Sequence, residues 1–102
     1  MDETDALVNR IIDLTNNGEM VWTYSVVYER ICYWTRRNNI LITYWLNDKY
    51  PIVQINSDEY DMIINLGTNV SCEVYDRFKE IVIDNELSIN NNKSKEILKV
   101  LK

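Results

Sequence analysis

The chain has 102 residues, which suits a single small domain built around one core. Apolar and aromatic residues make up 46%, which excludes a disordered chain. The net charge is −5 and histidine is absent, which removes Ser-His-Asp and Cys-His nucleophile activation, His-liganded zinc and histidine pH switching.

The two cysteines, Cys32 and Cys72, match neither a metal-binding spacing nor a CxxC redox motif, and reduced core thiols are expected. The N-terminal MDETDALVNR lacks the basic region and apolar run of a secretory signal. No apolar stretch approaches the ~18 residues a membrane span needs. These features predict a soluble, cytoplasmic protein that does not engage a membrane. Arg30, Arg36 and Arg37 form one small basic group, and Lys93, Lys95, Lys99 and Lys102 another. Neither is large enough for a nucleic-acid footprint, so the charge pattern argues against nucleic acid as a partner. Two glycines and one proline leave no Gly-rich phosphate cradle. Asparagine pairs at 16–17 and 38–39 and a triplet at 90–92 are expected to serve as turn punctuation.

In chain order, Leu7, Val8, Ile11, Ile12, Leu14 and Thr15 recur at helical spacing, with Asp2, Glu3 and Asp5 at the favourable end of the helix dipole. Asn17-Gly18 closes this first helix, predicted over residues 4–16. The period then changes to two. Met20, Trp22 and Tyr24 alternate in a short strand, and the runs 26–35, 40–46 and 50–55 are rich in β-branched and aromatic residues. Turns are predicted at Arg37-Asn38-Asn39 and at Asn47-Asp48, and Pro51 points to an edge. Residues 57–70 fit either a short strand ending at Gly67 or a helix capped by Ser57. From Ser71, an N-cap, a helix carries Val74, Tyr75, Phe78, Ile81 and Val82 towards Asn85. A short terminal helix, from Lys93 to Leu101, follows the asparagine triplet. The fold class is α+β in one domain over 1–102: N-terminal helix, antiparallel meander of four or five strands, C-terminal helix and a short terminal helix.

Hairpin register decides which side chains share a face. With Asn38-Asn39 as a two-residue loop, Arg37 faces Ile40, Thr35 faces Ile42, Tyr33 faces Tyr44 and Ile31 faces Leu46. With Asn47-Asp48 as the next loop, Pro51, Val53 and Ile55 join that side, which is the predicted core. The opposite face then holds Arg30, Cys32, Trp34 and Arg36, then Leu41, Thr43 and Trp45, then Tyr50, Ile52 and Gln54. Trp, Tyr and Arg dominate binding hot spots, and a large exposed apolar patch usually marks an interface. Either a helix covers this face, or it is a contact surface formed by Trp34, Trp45, Tyr50 and Ile52 with Arg30 and Arg36 at its rim.

Ser57-Asp58-Glu59-Tyr60-Asp61 lacks the ligand spacing and glycine of a calcium loop and reads as a solvated acidic turn. No spacing picks out a catalytic carboxylate pair. Cys72, near a helix N-terminus, is the better placed of two unactivated thiols. No catalytic residue, metal ligand or cofactor is expected, and the chain reads as a non-enzyme.

The stretch from Ile11 to Trp22 resembles a pattern of short uncharacterised proteins from low-GC Gram-positive bacteria and their phages. There a helix runs into Leu-Thr, two polar residues, Gly and a strand carrying Trp, here Leu14, Thr15, Gly18 and Trp22. The resemblance implies a small α+β domain and no activity, and it would suit an inhibitor of a host protein. The resulting expectation is an interaction protein that binds a protein partner, or itself as a homodimer, through the aromatic face. The alternative is a protein that sequesters a small ligand or nucleotide with the same arginines and aromatic rings.

Overall fold

A computed structural model describes residues 3–46 and 51–101. Helix α1 (Glu3–Asn16) carries Glu3 and Asp5 in its first turn and buries Val8, Ile11, Ile12, Leu14 and Thr15. Gly18, at φ +79°, takes the left-handed conformation that lets Glu19 and Met20 donate back to the Leu14 carbonyl. Strands β1 (Thr23–Val27), β2 (Arg30–Arg37), β3 (Ile40–Trp45), β4 (Ile52–Asn56) and β5 (Asp61–Asn65) follow as an antiparallel meander in the order β1-β2-β3-β4-β5. Helix α2 (Cys72–Val100) closes the fold, capped by the Ser71 hydroxyl, which accepts from the Val74 amide.

The first hairpin register is as expected, with Arg37 opposite Ile40, Thr35 opposite Ile42 and Tyr33 opposite Tyr44. The second differs by two residues. A loop of Asn47 and Asp48 alone would set Trp45 opposite Tyr50, whereas Trp45 pairs with Ile52. Those loop residues lie outside the described ones. A shift of two leaves every side chain on its expected face, because the strand period is also two. Residues 57–70 resolve into the β4–β5 turn, β5 and the approach to α2, so the strand reading holds and the helix reading does not.

Two expectations about breaks are corrected. The run 26–35 is not continuous: Tyr28 and Glu29, at φ 49° and 64°, turn the chain between β1 and β2. The Asn90–Asn92 triplet is not a turn but lies inside α2, so there is no separate terminal helix. Nothing tertiary enforces a break there, since every residue from Asn90 to Leu101 is exposed.

Both helices pack on one face of the sheet. Phe78 of α2 meets Tyr44 (ring centroids 5.1 Å apart) and Trp22 (5.8 Å). Around them Val8, Ile12, Val53 and Ile64 close a single core. The helices are joined at their solvent edge, where Arg77 donates to the Asn9 side chain and the Ser71 amide donates to Asp5. Among the described residues no helix is long and apolar enough to cross a membrane.

Candidate functional site

Because α1 and α2 share one face, the other face has no helix over it among the described residues. It carries Ser25 and Val27 from β1, Arg30, Cys32, Trp34 and Arg36 from β2, Leu41, Thr43 and Trp45 from β3, and Ile52 and Gln54 from β4. Of the two arrangements open from the sequence, a covered face or an exposed one, the fold selects exposure.

The two indoles are fixed in opposite directions. Trp34 leans towards β1, where its Nε1–H donates to the Ser25 hydroxyl at 3.0 Å. Trp45 leans towards β4, where its Nε1–H donates to Gln54 Oε1 at 3.2 Å. Each acceptor sits diagonally across one strand pair, since Ser25 pairs with Cys32 and Gln54 with Thr43. The rings therefore splay apart and leave an open groove of about 340 Å³, lined by Val27, Cys32, Trp34, Arg36, Leu41, Thr43 and Trp45. Cys32 and Thr43 are its buried floor.

Charge is placed at both ends. The Arg30 guanidinium lies over the Trp45 ring, 4.6 Å from its centroid, a cation–π geometry. Arg36, opposite Leu41, is exposed at the far end. No carboxylate shares this face on β1 to β4. Asp61 stands beyond them on β5, accepting a hydrogen bond from Asn56. Burial pushes the Cys32 thiol above its ordinary value, and the Arg30 charge partly opposes that shift. A thiol so held is a poor nucleophile near neutral pH. Cys72 is exposed at the first residue of α2, which corrects the expectation of two core thiols.

Arg30, Trp34, Arg36 and Trp45 are thus brought together as the sequence suggests. Ile52 is on the same face, half-buried opposite Trp45 but outside the groove lining. Tyr50 lies outside the described residues. Register alone does not reveal Ser25 and Gln54 as anchors of the rings, since that depends on rotamers. Nor does it reveal Ile63 on β5, which is 60% exposed and extends the apolar surface past Gln54. The acidic run near residue 58 forms the β4–β5 turn, where the Ser57 hydroxyl accepts from the Glu59 and Tyr60 amides. Among the described residues no group of three His, Cys, Asp or Glu side chains could hold a metal ion.

The chain matches no protein-family model, no curated protein and no solved structure.

Proposed function

We propose that this is a non-enzymatic contact protein whose open sheet face binds an acidic segment of a protein partner. The observation that carries the reading is the pair of splayed, hydrogen-bonded indoles on the face that both helices leave bare. Rings already held in place lose little rotamer freedom when a partner docks, which favours affinity. An apolar partner side chain would enter the groove between Trp34 and Trp45, and flanking carboxylates would meet Arg30 and Arg36. Charge supports an acidic partner over a second copy at this face, because a copy would bring its own arginines against these. The free thiols Cys32 and Cys72 suit a reducing compartment such as the cytoplasm.

The groove volume also falls at the lower end of small-ligand sites, which keeps nucleotide sequestration as a second reading. Its openness favours the first. A base stacked there would be covered on one side only, whereas small-ligand sites enclose most of their ligand.

The test is fluorescence titration with an extended peptide of alternating leucine and glutamate, against a leucine–lysine counterpart. Trp34 and Trp45 report, with buried Trp22 as a constant background. The glutamate peptide should bind, and Arg30→Ala/Arg36→Ala should weaken it about tenfold, or ~1.4 kcal/mol. Equal binding of the lysine peptide, or a response to ATP with none to either peptide, sinks the reading.

A further inference from the structure

Strand β1 is an edge strand with one neighbour, β2. Exposed edges are normally guarded by charge, proline, a bulge or a cover. The segment from Val21 to Tyr28 has no charged residue, no proline and no glycine. Among the described residues its start is closed by the chain itself, where the Trp22 amide donates to Asn85 Oδ1 at 3.0 Å. The opposite edge, β5, begins with Asp61 and follows Asp58 and Glu59.

The unpaired backbone groups have a definite phase. The two-residue turn at Tyr28 and Glu29 makes Val27 and Arg30 the closing pair. Val27, Ser25 and Thr23 then direct their amides and carbonyls to β2, and Tyr24 and Val26 direct theirs outward. Tyr24 and Val26 flank Ser25 symmetrically, which is what an antiparallel copy centred on Ser25 requires. Tyr24 would face Val26 of the copy and Val26 its Tyr24, each pair exchanging both of its N–H···O bonds. At the centre, Ser25 meets Ser25 without steric or charge conflict.

Helix α2 supplies the second observation. It passes the start of β1, where Glu86, Ile89, Asn90 and Lys93 line one cleft with Val21 and Tyr24. From Asn90 onward every described residue is exposed. The radius of gyration, 14.7 Å, exceeds the ~13 Å of a compact chain of this size because this tail projects. It carries Ile97 and Leu101, which with Leu87 just before it are all more than half exposed, on a 4-3-4-3-4 seam running from Ile83 through Leu87, Asn90 and Ser94. On the helix side of the sheet, α2 leaves a corner of Val26 (58% exposed) and Ile31 bare.

We propose that two copies of this chain join antiparallel along β1, centred on Ser25, with each projecting α2 tail lying over the Val26–Ile31 corner of the other. Edge and tail are each incomplete alone, and one two-fold axis completes both. The joined sheets keep their open faces on one side, so the proposal is independent of what the Trp34–Trp45 groove binds.

Sedimentation velocity with amide hydrogen exchange tests this. Wild type should sediment as a dimer of twice the 12.2 kDa chain, with the Tyr24 and Val26 amides protected. Val26→Lys, a change at an exposed side chain, should give a folded monomer with those amides exchanging freely. Ile97→Lys/Leu101→Lys, in the tail away from the core, should weaken the dimer without loss of folding. Trp34→Ala/Trp45→Ala should leave it intact. A wild-type monomer with exchanging Tyr24 and Val26 amides overturns the proposal. So does a dimer that survives Val26→Lys, or one that is lost only with the two tryptophans.

Discussion

The Trp22 indole Nε1–H donates to the Thr15 hydroxyl at 2.9 Å, and that hydroxyl donates in turn to the Ile11 carbonyl one helical turn back at 2.8 Å. Trp22 is 1% exposed and Thr15 3%. The bond ties the segment leading into β1 to the last turn of α1, with both partners buried. Thr15→Val keeps the volume and removes the acceptor, leaving a buried donor unpaired. The expected loss is about 1–3 kcal/mol, seen as a lower urea midpoint at an unchanged slope. Thr15→Ser keeps the hydroxyl and should lose less. Equal midpoints for wild type and Thr15→Val would show that the bond contributes nothing.

Tyrosine ionisation should set the alkaline limit of stability. Tyr44 is held above its ordinary value of 10 by burial first and then by Tyr75, with which it shares a hydrogen bond. Tyr33 is raised as well, by burial and then by the nearby Glu86 and Tyr24. A raised folded-state value means that the unfolded chain releases its proton first. Stability from this source is complete below pH 10 and is lost as pH rises towards the folded-state value, at up to ~1.4 kcal/mol per pH unit for each group. Cys32, raised from 9.0, starts the decline slightly earlier. Urea midpoints measured upward from pH 8 should hold and then fall. Tyr44→Phe should start lower, having lost the Tyr75 bond, but decline less steeply. A decline as steep in Tyr44→Phe as in wild type would remove Tyr44 as its cause.

The open face was legible because it depends only on parity. Tyr33 opposite Tyr44 follows from an even loop at Asn38-Asn39, and even the two-residue difference at Trp45–Ile52 could not move Trp34 or Trp45 to the core side. The apolar stripes of α1 and α2 were equally plain, since Ile12 and Phe78 have nowhere to go but onto the sheet. Breaks were harder to read. Tyr28-Glu29 carries no turn chemistry, and the left-handed backbone there comes from the pairing of its two strands. The Asn90–Asn92 triplet misled in the other direction. Asparagine costs a helix only a few tenths of a kcal/mol per residue, which α2 continuing on both sides can absorb. That Trp34 reaches Ser25 and Trp45 reaches Gln54 depends on side-chain rotamers, to which alternation is blind.

The same turn offers a stabilising change. Tyr28 and Glu29 occupy a conformation that favours Asn and Gly, and each non-glycine residue held there costs about 1 kcal/mol or more. Tyr28 is 94% exposed, so its replacement opens no cavity. Tyr28→Asn/Glu29→Gly should raise stability by about 1 kcal/mol or more, read as a higher urea midpoint. The double variant should leave the far-UV spectrum of the fold unchanged. A lower midpoint would mean that the Tyr28 side chain makes a stabilising contact outweighing the strain.

Thiol chemistry can report on the groove directly. Cys72 is exposed and Cys32 is 2% exposed on the floor of the groove, opposite Trp45 on the neighbouring strand, whose ring carries the Arg30 guanidinium. Iodoacetamide followed by mass spectrometry should label Cys72 quickly and Cys32 slowly, since burial both shields that sulfur and disfavours its thiolate. Trp45→Ala removes one wall of the groove and should speed labelling at Cys32 by about tenfold while Cys72 is unaffected, a change of ~1.4 kcal/mol in effective access. Arg30→Ala has opposed effects, freeing the Trp45 ring of its cation and removing the charge that favours the thiolate, so its acceleration should be smaller. An occupant of the groove should slow Cys32 and leave Cys72 alone, which makes the ratio of the two rates a binding assay. Equal rates at both cysteines in the folded wild type would contradict a buried groove floor at Cys32.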